Sequence, residues 1–244
     1  MTTPTESPDD PAGYAQIVVT GTDAISFLQG QLTNDLRRLE SEPRLLAAWC
    51  NPKGRVIALL RVARDADRLL LALPAELADA VVRRLTTFRF RARVDFATEP
   101  AASRVLASSD AADFDIAAWR RANLENGMAE IAVAQSEQFT PHMLNLDLLD
   151  ALSLDKGCYT GQEIVARTHY RGATRRRTLR FRASRPVSPG DAIYAGANKI
   201  GEVVNAIDDA LLAVVDLAAV ASAESELSCG DARLVREPLP YSFD

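Results

Sequence analysis

Eight consecutive residues, Lys156-Gly157-Cys158-Tyr159-Thr160-Gly161-Gln162-Glu163, concentrate an amine, a thiol, an amide and a carboxylate. A thiolate is a nucleophile and a soft ligand, and a thiol beside a cation or just ahead of a helix N-terminus loses its proton more readily. The sequence predicts both conditions. Lys156 stands two residues before Cys158, and Thr160 and Glu163 have capping-box spacing, so a helix is expected from Thr160 through Ile164 and Val165. Gly157 and Gly161 bracket the cysteine and predict tight turns that bring main chain and thiol close to another group. Cys158 and Lys156 are therefore the candidate catalytic residues. The competing possibility is plain: Cys158 as a small buried hydrophobe, Glu163 as a cap, Lys156 as a solvated charge.

The stretch continues with Val165-Ala166-Arg167 and ends at Arg171-Gly172. Lys-Gly-Cys-Tyr-x-Gly-Gln-Glu followed by Val-Ala-Arg and Arg-Gly resembles the signature of the YgfZ-type folate-binding proteins. These are relatives of the glycine-cleavage T-protein (aminomethyltransferase) and are implicated in iron–sulfur cluster maintenance. Phe27-Leu28-Gln29-Gly30-Gln31-Leu32-Thr33-Asn34-Asp35-Leu36 and Glu237-Pro238-Leu239-Pro240-Tyr241 extend the resemblance, which runs from about Tyr14 to Tyr241. It implies a T-protein-like fold ending in a small β-barrel, tetrahydrofolate or a derivative as cofactor, and iron–sulfur enzymes or assembly proteins as partners, tRNA-modifying enzymes among them. It also implies folate contacts. Asn123-Leu124-Glu125-Asn126-Gly127 aligns with the Arg-Leu-Glu-Ala-Gly of T-proteins, whose glutamate binds the pterin. A carboxylate at Glu125 can accept two hydrogen bonds from pterin N–H groups while an aromatic stacks on the ring. Trp119 and Tyr14 match positions of folate-contacting aromatics, Tyr14 standing where a Trp is usual.

Two departures matter. T-proteins carry Gly-Gly-Val-Ile-Asp-Asp-Leu with a catalytic aspartate; here Gly54-Arg55-Val56-Ile57-Ala58-Leu59-Leu60 puts Ala58 and Leu59 at the acidic positions. The carboxylate that would handle a folate nitrogen's proton is missing, so active aminomethyl transfer is not expected. His142 stands where relatives carry Gln, and no metal site is expected around it, because nothing close in sequence completes one.

The chain has 244 residues, 48% of them apolar and 25% charged, with a net charge of −5, which is ordinary for a globular protein and gives no global attraction to nucleic acid. Three widely spaced cysteines, Cys50, Cys158 and Cys229, offer no disulfide framework and fit a reducing, cytoplasmic setting. No run approaches a membrane span. Cys50 is expected buried in an apolar strand; Cys229, before Gly230, sits in a polar turn with the character of an exposed site.

The elements that must position these groups follow from patterning. Residues 1–11, rich in Pro and acids, read as a disordered tail. Ala15–Thr20 is a strand; Asp23 caps a helix carrying Ile25, Leu28, Leu32, Leu36 and Leu39, in which Gly30 points to tight packing or a ligand's approach. Leu45–Cys50 and Val56–Val62 form a hairpin around Asn51-Pro52-Lys53-Gly54. Leu69–Leu73 is a strand, Pro74 starts a helix to about Thr87, Phe90–Phe96 alternates as a strand, and Trp119–Gly127 is a helix. The predicted class is α+β with mainly antiparallel sheets: an α+β region over 12–172 and a β-barrel over 173–244. From Arg167 to Arg182 there are seven arginines and no acids; from Gly201 to Asp231, seven acids and no Lys or Arg. The arginines suit an anionic folate tail, Arg167 being the candidate, or an RNA backbone. The plainer expectation is a strand, Thr178–Ala183, with an outward basic face. Three functions thus compete: a folate-binding iron–sulfur accessory protein, a tetrahydrofolate-dependent aminomethyltransferase or demethylase, and an RNA-binding module. The last ranks lowest, and direct nucleic-acid binding is not expected, because interleaved surface aromatics are lacking.

Overall fold

A computed structural model describes residues 13–107, 114–171, 174–223 and 226–243. The expected tail over 1–11, Gly172 and the expected boundary at 172/173 lie outside the described residues. The first region is built on a five-stranded antiparallel sheet of order β2-β3-β4-β1-β5. Its strands are β1 (Tyr14–Thr20), β2 (Arg44–Cys50), β3 (Val56–Asp65), β4 (Arg68–Pro74) and β5 (Asp95–Pro100). β3 shows why its sequence is apolar nearly throughout. Ile57, Ala58, Leu60 and Val62 pack in one cluster with the helices α1 (Ala24–Gln29) and α2 (Ala75–Phe88), while Val56 and Leu59 pack in a second cluster on the way to the barrel. A sheet covered on both faces tolerates polar residues on neither.

After β5 come the short helix α3 (Ser103–Leu106), α4 (Ile116–Glu125), a mainly irregular segment to Gly161, and α5 (Gln162–Arg171). A closed six-stranded barrel follows, of order β10-β11-β6-β9-β8-β7. Its strands are β6 (Arg176–Ala183), β7 (Ala192–Ala195), β8 (Asn198–Ile207), β9 (Ala210–Asp216), β10 (Leu227–Cys229) and β11 (Ala232–Glu237), with the helix α6 (Leu217–Ala221) after β9. β9 joins the two regions. Leu211, Ala213 and Val215 fill the barrel, and the alternate residues Ala210, Leu212 and Val214 face Leu144, Leu146 and Leu59 of the first region. Charge separated in sequence is reunited by this topology: Arg176 pairs with Glu202, Arg180 with Glu237, and Arg182 with Asp209 and Glu237. The basic strand is thus the ion-paired outer face of a barrel.

Four expectations are corrected. The helix drawn through Leu39 ends at Gln29, because Gly30 serves as its C-cap; Leu32 then bridges to Trp49, and a 3-10 turn, Leu36–Glu40, is capped by Asp35. Gly30 allows no close approach: an added Cβ would meet only Phe27 O at 3.5 Å and Ser26 O at 4.0 Å. Phe90–Phe96 is not a strand until Asp95; Phe90 is exposed with φ 44°, a left-handed turn conformation that interrupts the alternation. Cys229 is buried, its strand pairing with β11 and β7 to close the barrel.

Candidate functional site

The Gln29–Asp35 stretch is the seat on which the signature rests. Thr33 and Asn34 are fully buried. Thr33 Oγ1 donates to Ala151 O (2.7 Å) and accepts from Ala48 N–H (2.8 Å). Asn34 Nδ2 donates to Leu46 O (2.9 Å) and Asp150 O (2.7 Å). Ser153 N–H donates to Thr33 O. Lys156 completes this latch. Its side chain is buried and Nζ donates to Leu32 O (2.6 Å) and Asn34 O (2.7 Å). Burial pushes its pKa down to about 8. The ammonium is therefore directed at two carbonyls of the seat, which replaces its expected role as the thiol's partner.

Beyond Lys156 the chain turns outward. Cys158 is exposed, whereas Cys50 and Cys229 are buried. Burial pushes the Cys50 thiol up to about 12 and raises that of Cys229. Tyr159 returns to the interior, its ring beneath the Lys156 amine at 5.4 Å. The helix then starts at Gln162, two residues later than predicted, and Gln162 Oε1 accepts from Tyr159 N–H (3.3 Å). Gly161 fixes that corner. It has φ +81°, and a Cβ there would lie 2.5 Å from Asn51 O and 3.1 Å from Gly54 Cα, so the β2–β3 turn packs directly on the signature backbone. Gly157, by contrast, has open space where a Cβ would be. Glu163 and Arg167 are exposed on α5.

A second constellation lies between α4 and the barrel. A cavity of about 770 Å³ is lined by apolar groups of α4 and β8 and by Glu76, Arg120, Glu130, Gln135 and Asn205. Asn205 of β8 clamps Glu130 by its main chain, accepting from its N–H (2.8 Å) and donating to its C=O (2.9 Å). The Glu130 carboxylate takes the Arg120 guanidinium (2.5 and 3.1 Å) and the Tyr14 hydroxyl. Burial, reinforced by that carboxylate, holds the Tyr14 phenol well above its ordinary pKa. Tyr14 meets Trp119 edge to face at 5.3 Å, and Arg61 lies 4.5 Å over the Trp119 ring. Burial lowers Arg61 to about 10. Leu59 borders Tyr14, Arg61 and Glu130 in a small adjoining pocket, while Ala58 points into the other cluster.

The structure thus brings Tyr14 and Trp119 together. The Trp119 Nε1–H donates to Leu106 O and one ring face carries Arg61. Glu125 does not line the cavity: it is exposed and pairs with Arg121 (3.2 Å), while its neighbour Leu124 lines the wall. Glu130, which sequence reasoning passed over, is a carboxylate of this lining, as is Glu76; a lone acid between the core residues Ala129 and Ile131 was its only signal. His142, for which nothing close in sequence was expected to complete a metal site, is brought together with Asp147 and His169 by the fold. Among the described residues no helix is long and apolar enough to cross a membrane.

Comparison with known proteins agrees with this architecture. The family profile described as the CAF17 C-terminal beta-barrel domain matches residues 175–239. The tRNA-modifying protein YgfZ of Klebsiella pneumoniae (strain 342) is 31% identical, the match covering 95% of this chain and 91% of that protein. The protein of the same name from Escherichia coli O45:K1 (strain S88 / ExPEC) is 28% identical, with 95% and 92% covered. Among solved structures, the glycine cleavage system aminomethyltransferase T from Bartonella henselae matches with TM-score 0.72 over 95% of this chain and 84% of that one. At 16% identity this likeness is one of fold.

Proposed function

The chain belongs to the YgfZ family, and on that premise we propose that it is a folate-binding accessory protein for iron–sulfur cluster assembly or repair, supporting iron–sulfur enzymes such as those that modify tRNA. The observation that carries this is the exposed Cys158 on a signature otherwise pinned to the protein, with a buried amine on one side and Gly161 on the other. A soft nucleophile held out from a rigid loop is suited to meet a partner's cluster or sulfur. A tetrahydrofolate derivative is assigned to the cavity beside α4, whose volume of about 770 Å³ suits a ligand of that size. There Glu130 is the acceptor for a pterin N–H group and Arg120 the cation for a carboxylate; Tyr14 holds Glu130, and Trp119 packs against Tyr14. Glu125 and Arg167 are the rival contacts; like Tyr14 and Trp119 they lie outside that lining, but among the described residues neither bonds a residue that lines it.

Calorimetric titration with tetrahydrofolate and 5-formyltetrahydrofolate tests the cofactor. Glu130→Gln is expected to lose about 10–100-fold in affinity, the equivalent of 1–3 kcal/mol for an unpaired polar group, with Glu125→Ala unchanged. Loss in Glu125→Ala with Glu130→Gln intact would move the pterin to the α4 terminus. Absence of binding by either folate would remove the cofactor. With Ala58 and Leu59 in place of acids on β3, a reconstituted glycine-cleavage assay is expected to show no aminomethyl transfer.

A further inference from the structure

We propose that His142, Asp147 and His169 form a binding site for one divalent transition-metal ion. The chain has only two histidines in 244 residues, and they come from different segments, Pro141–Asp147 and the last turn of α5. The fold nevertheless sets their rings 5.8 Å apart, and places one ligand atom from each of His142, Asp147 and His169 within 4.8 Å of the others. Two imidazoles and one carboxylate make a donor set suited to Zn(II), Fe(II) or Co(II), and three protein ligands leave a position open to water or a substrate.

An independent observation points to a ligand. His142 is 1% exposed, and among the described residues neither Nδ1 nor Nε2 has a hydrogen-bond partner. A buried imidazole with no partner is unusual, since each such atom left unsatisfied costs about 1–3 kcal/mol. A metal ion would engage one of those nitrogens. Asp147 is already oriented as ligating carboxylates are: Arg177 holds both oxygens (2.8 and 2.9 Å), each of which keeps a lone pair, and also donates to His142 O. Bonds of about 2.0–2.2 Å in a tetrahedral site place ligand atoms roughly 3.3–3.6 Å apart, so the set, whose atoms now lie within 4.8 Å of one another, must close by at most about 1.5 Å. His169 is exposed in the last turn of α5, so its ring is the one of the two histidines that can turn without repacking a buried core. Because α5 begins at Gln162 within the signature, an ion here would fasten the far end of the signature helix to the 141–147 segment, which Asn145 already ties to Thr178 of the barrel.

The test uses the full chain carrying Cys158→Ser, so that the exposed thiol cannot capture metal. Equilibrium dialysis with Zn(II) is expected to give one equivalent per chain. Co(II) is expected to give a visible d–d spectrum without a sulfur charge-transfer band. Adding His169→Ala, an exposed position whose loss leaves the fold intact, is expected to weaken Zn(II) binding by more than about 100-fold, a larger loss than that of an outer-shell partner. His142→Gln is expected to do the same. Zn(II) is also expected to raise the melting temperature of the Cys158→Ser protein and not of the double variant with His169→Ala. No stoichiometric binding to the Cys158→Ser protein, or binding that survives His169→Ala undiminished, overturns the site.

Discussion

The signature loop and the α4 cavity are held by different means. The signature is pinned by main-chain geometry and by one buried amine on two carbonyls, and it leaves its thiol with nothing to do structurally. The polar wall of the cavity comes from separate segments, with Arg120, Glu130 and Asn205 of the barrel lining it and Tyr14 and Arg61 backing them from the small adjoining pocket. In the first region chemistry and structure are divided between residues; in the second the same charged groups would do both. Substitutions should therefore separate stability from function at the signature and couple them at the cavity.

The largest effect is expected from Gly161→Ala. The residue would have to hold φ +81° and place a methyl 2.5 Å from Asn51 O. Left-handed strain and the backbone clash together cost roughly 2–5 kcal/mol, measured by urea denaturation. Unchanged stability would mean that the β2–β3 turn is not fixed against the signature. Gly157→Ala, in open space, is the matched control and should be near neutral.

Next comes Lys156→Met, which strands the Leu32 and Asn34 carbonyls and should cost roughly 2 kcal/mol near neutral pH. The pH dependence identifies the cause. The folded pKa is about 8 against 10.5 unfolded, so between those values the unfolded chain binds more protons and stability rises with pH. The wild type should gain on Lys156→Met by roughly 1–3 kcal/mol from pH 8 to 10.5, read from denaturation midpoints. A gap independent of pH would mean that the amine is not confined. At the cavity, Glu130→Gln should cost about 1 kcal/mol, since Arg120 stays partly exposed, and should weaken folate in the same variant.

This contrast also governs what could be read from the chain. The sheet, the first hairpin and the barrel were legible because β1, β3 and β9 are apolar runs bounded by turns. The signature was legible because its residues are contiguous. The split of the first helix was missed because Leu32 and Leu36 keep helical spacing while Gly30, Thr33 and Asn34 break it. Only the fold shows that buried Thr33 and Asn34 need partners at Ala151 and Asp150. Glu130 and the His142–His169 pair were missed because they exist only across distances of 116 and 27 residues, with no local pattern to mark them.

The smallest structural effect, and the sharpest separation, is expected at Cys158. Its thiol is exposed and fills no cavity, so Cys158→Ser should change stability by less than about 0.5 kcal/mol and leave folate affinity as it was. Reactivity should single it out. Cys50, buried with its pKa pushed up to about 12, holds almost no thiolate at neutral pH, and buried Cys229 is also shifted upward, so iodoacetamide should label Cys158 first by a wide margin. If the signature exists to hold this sulfur out toward a partner, Cys158→Ser should fail to restore iron–sulfur enzyme activity to a strain lacking the protein. That failure must occur without any loss of fold, because the Lys156 latch and the Gly161 corner do not use the thiol. Two results would dissolve the contrast between the regions: labelling of Cys50 ahead of Cys158, which would place the signature inside the protein, and full restoration by Cys158→Ser, which would make the loop a structural latch alone.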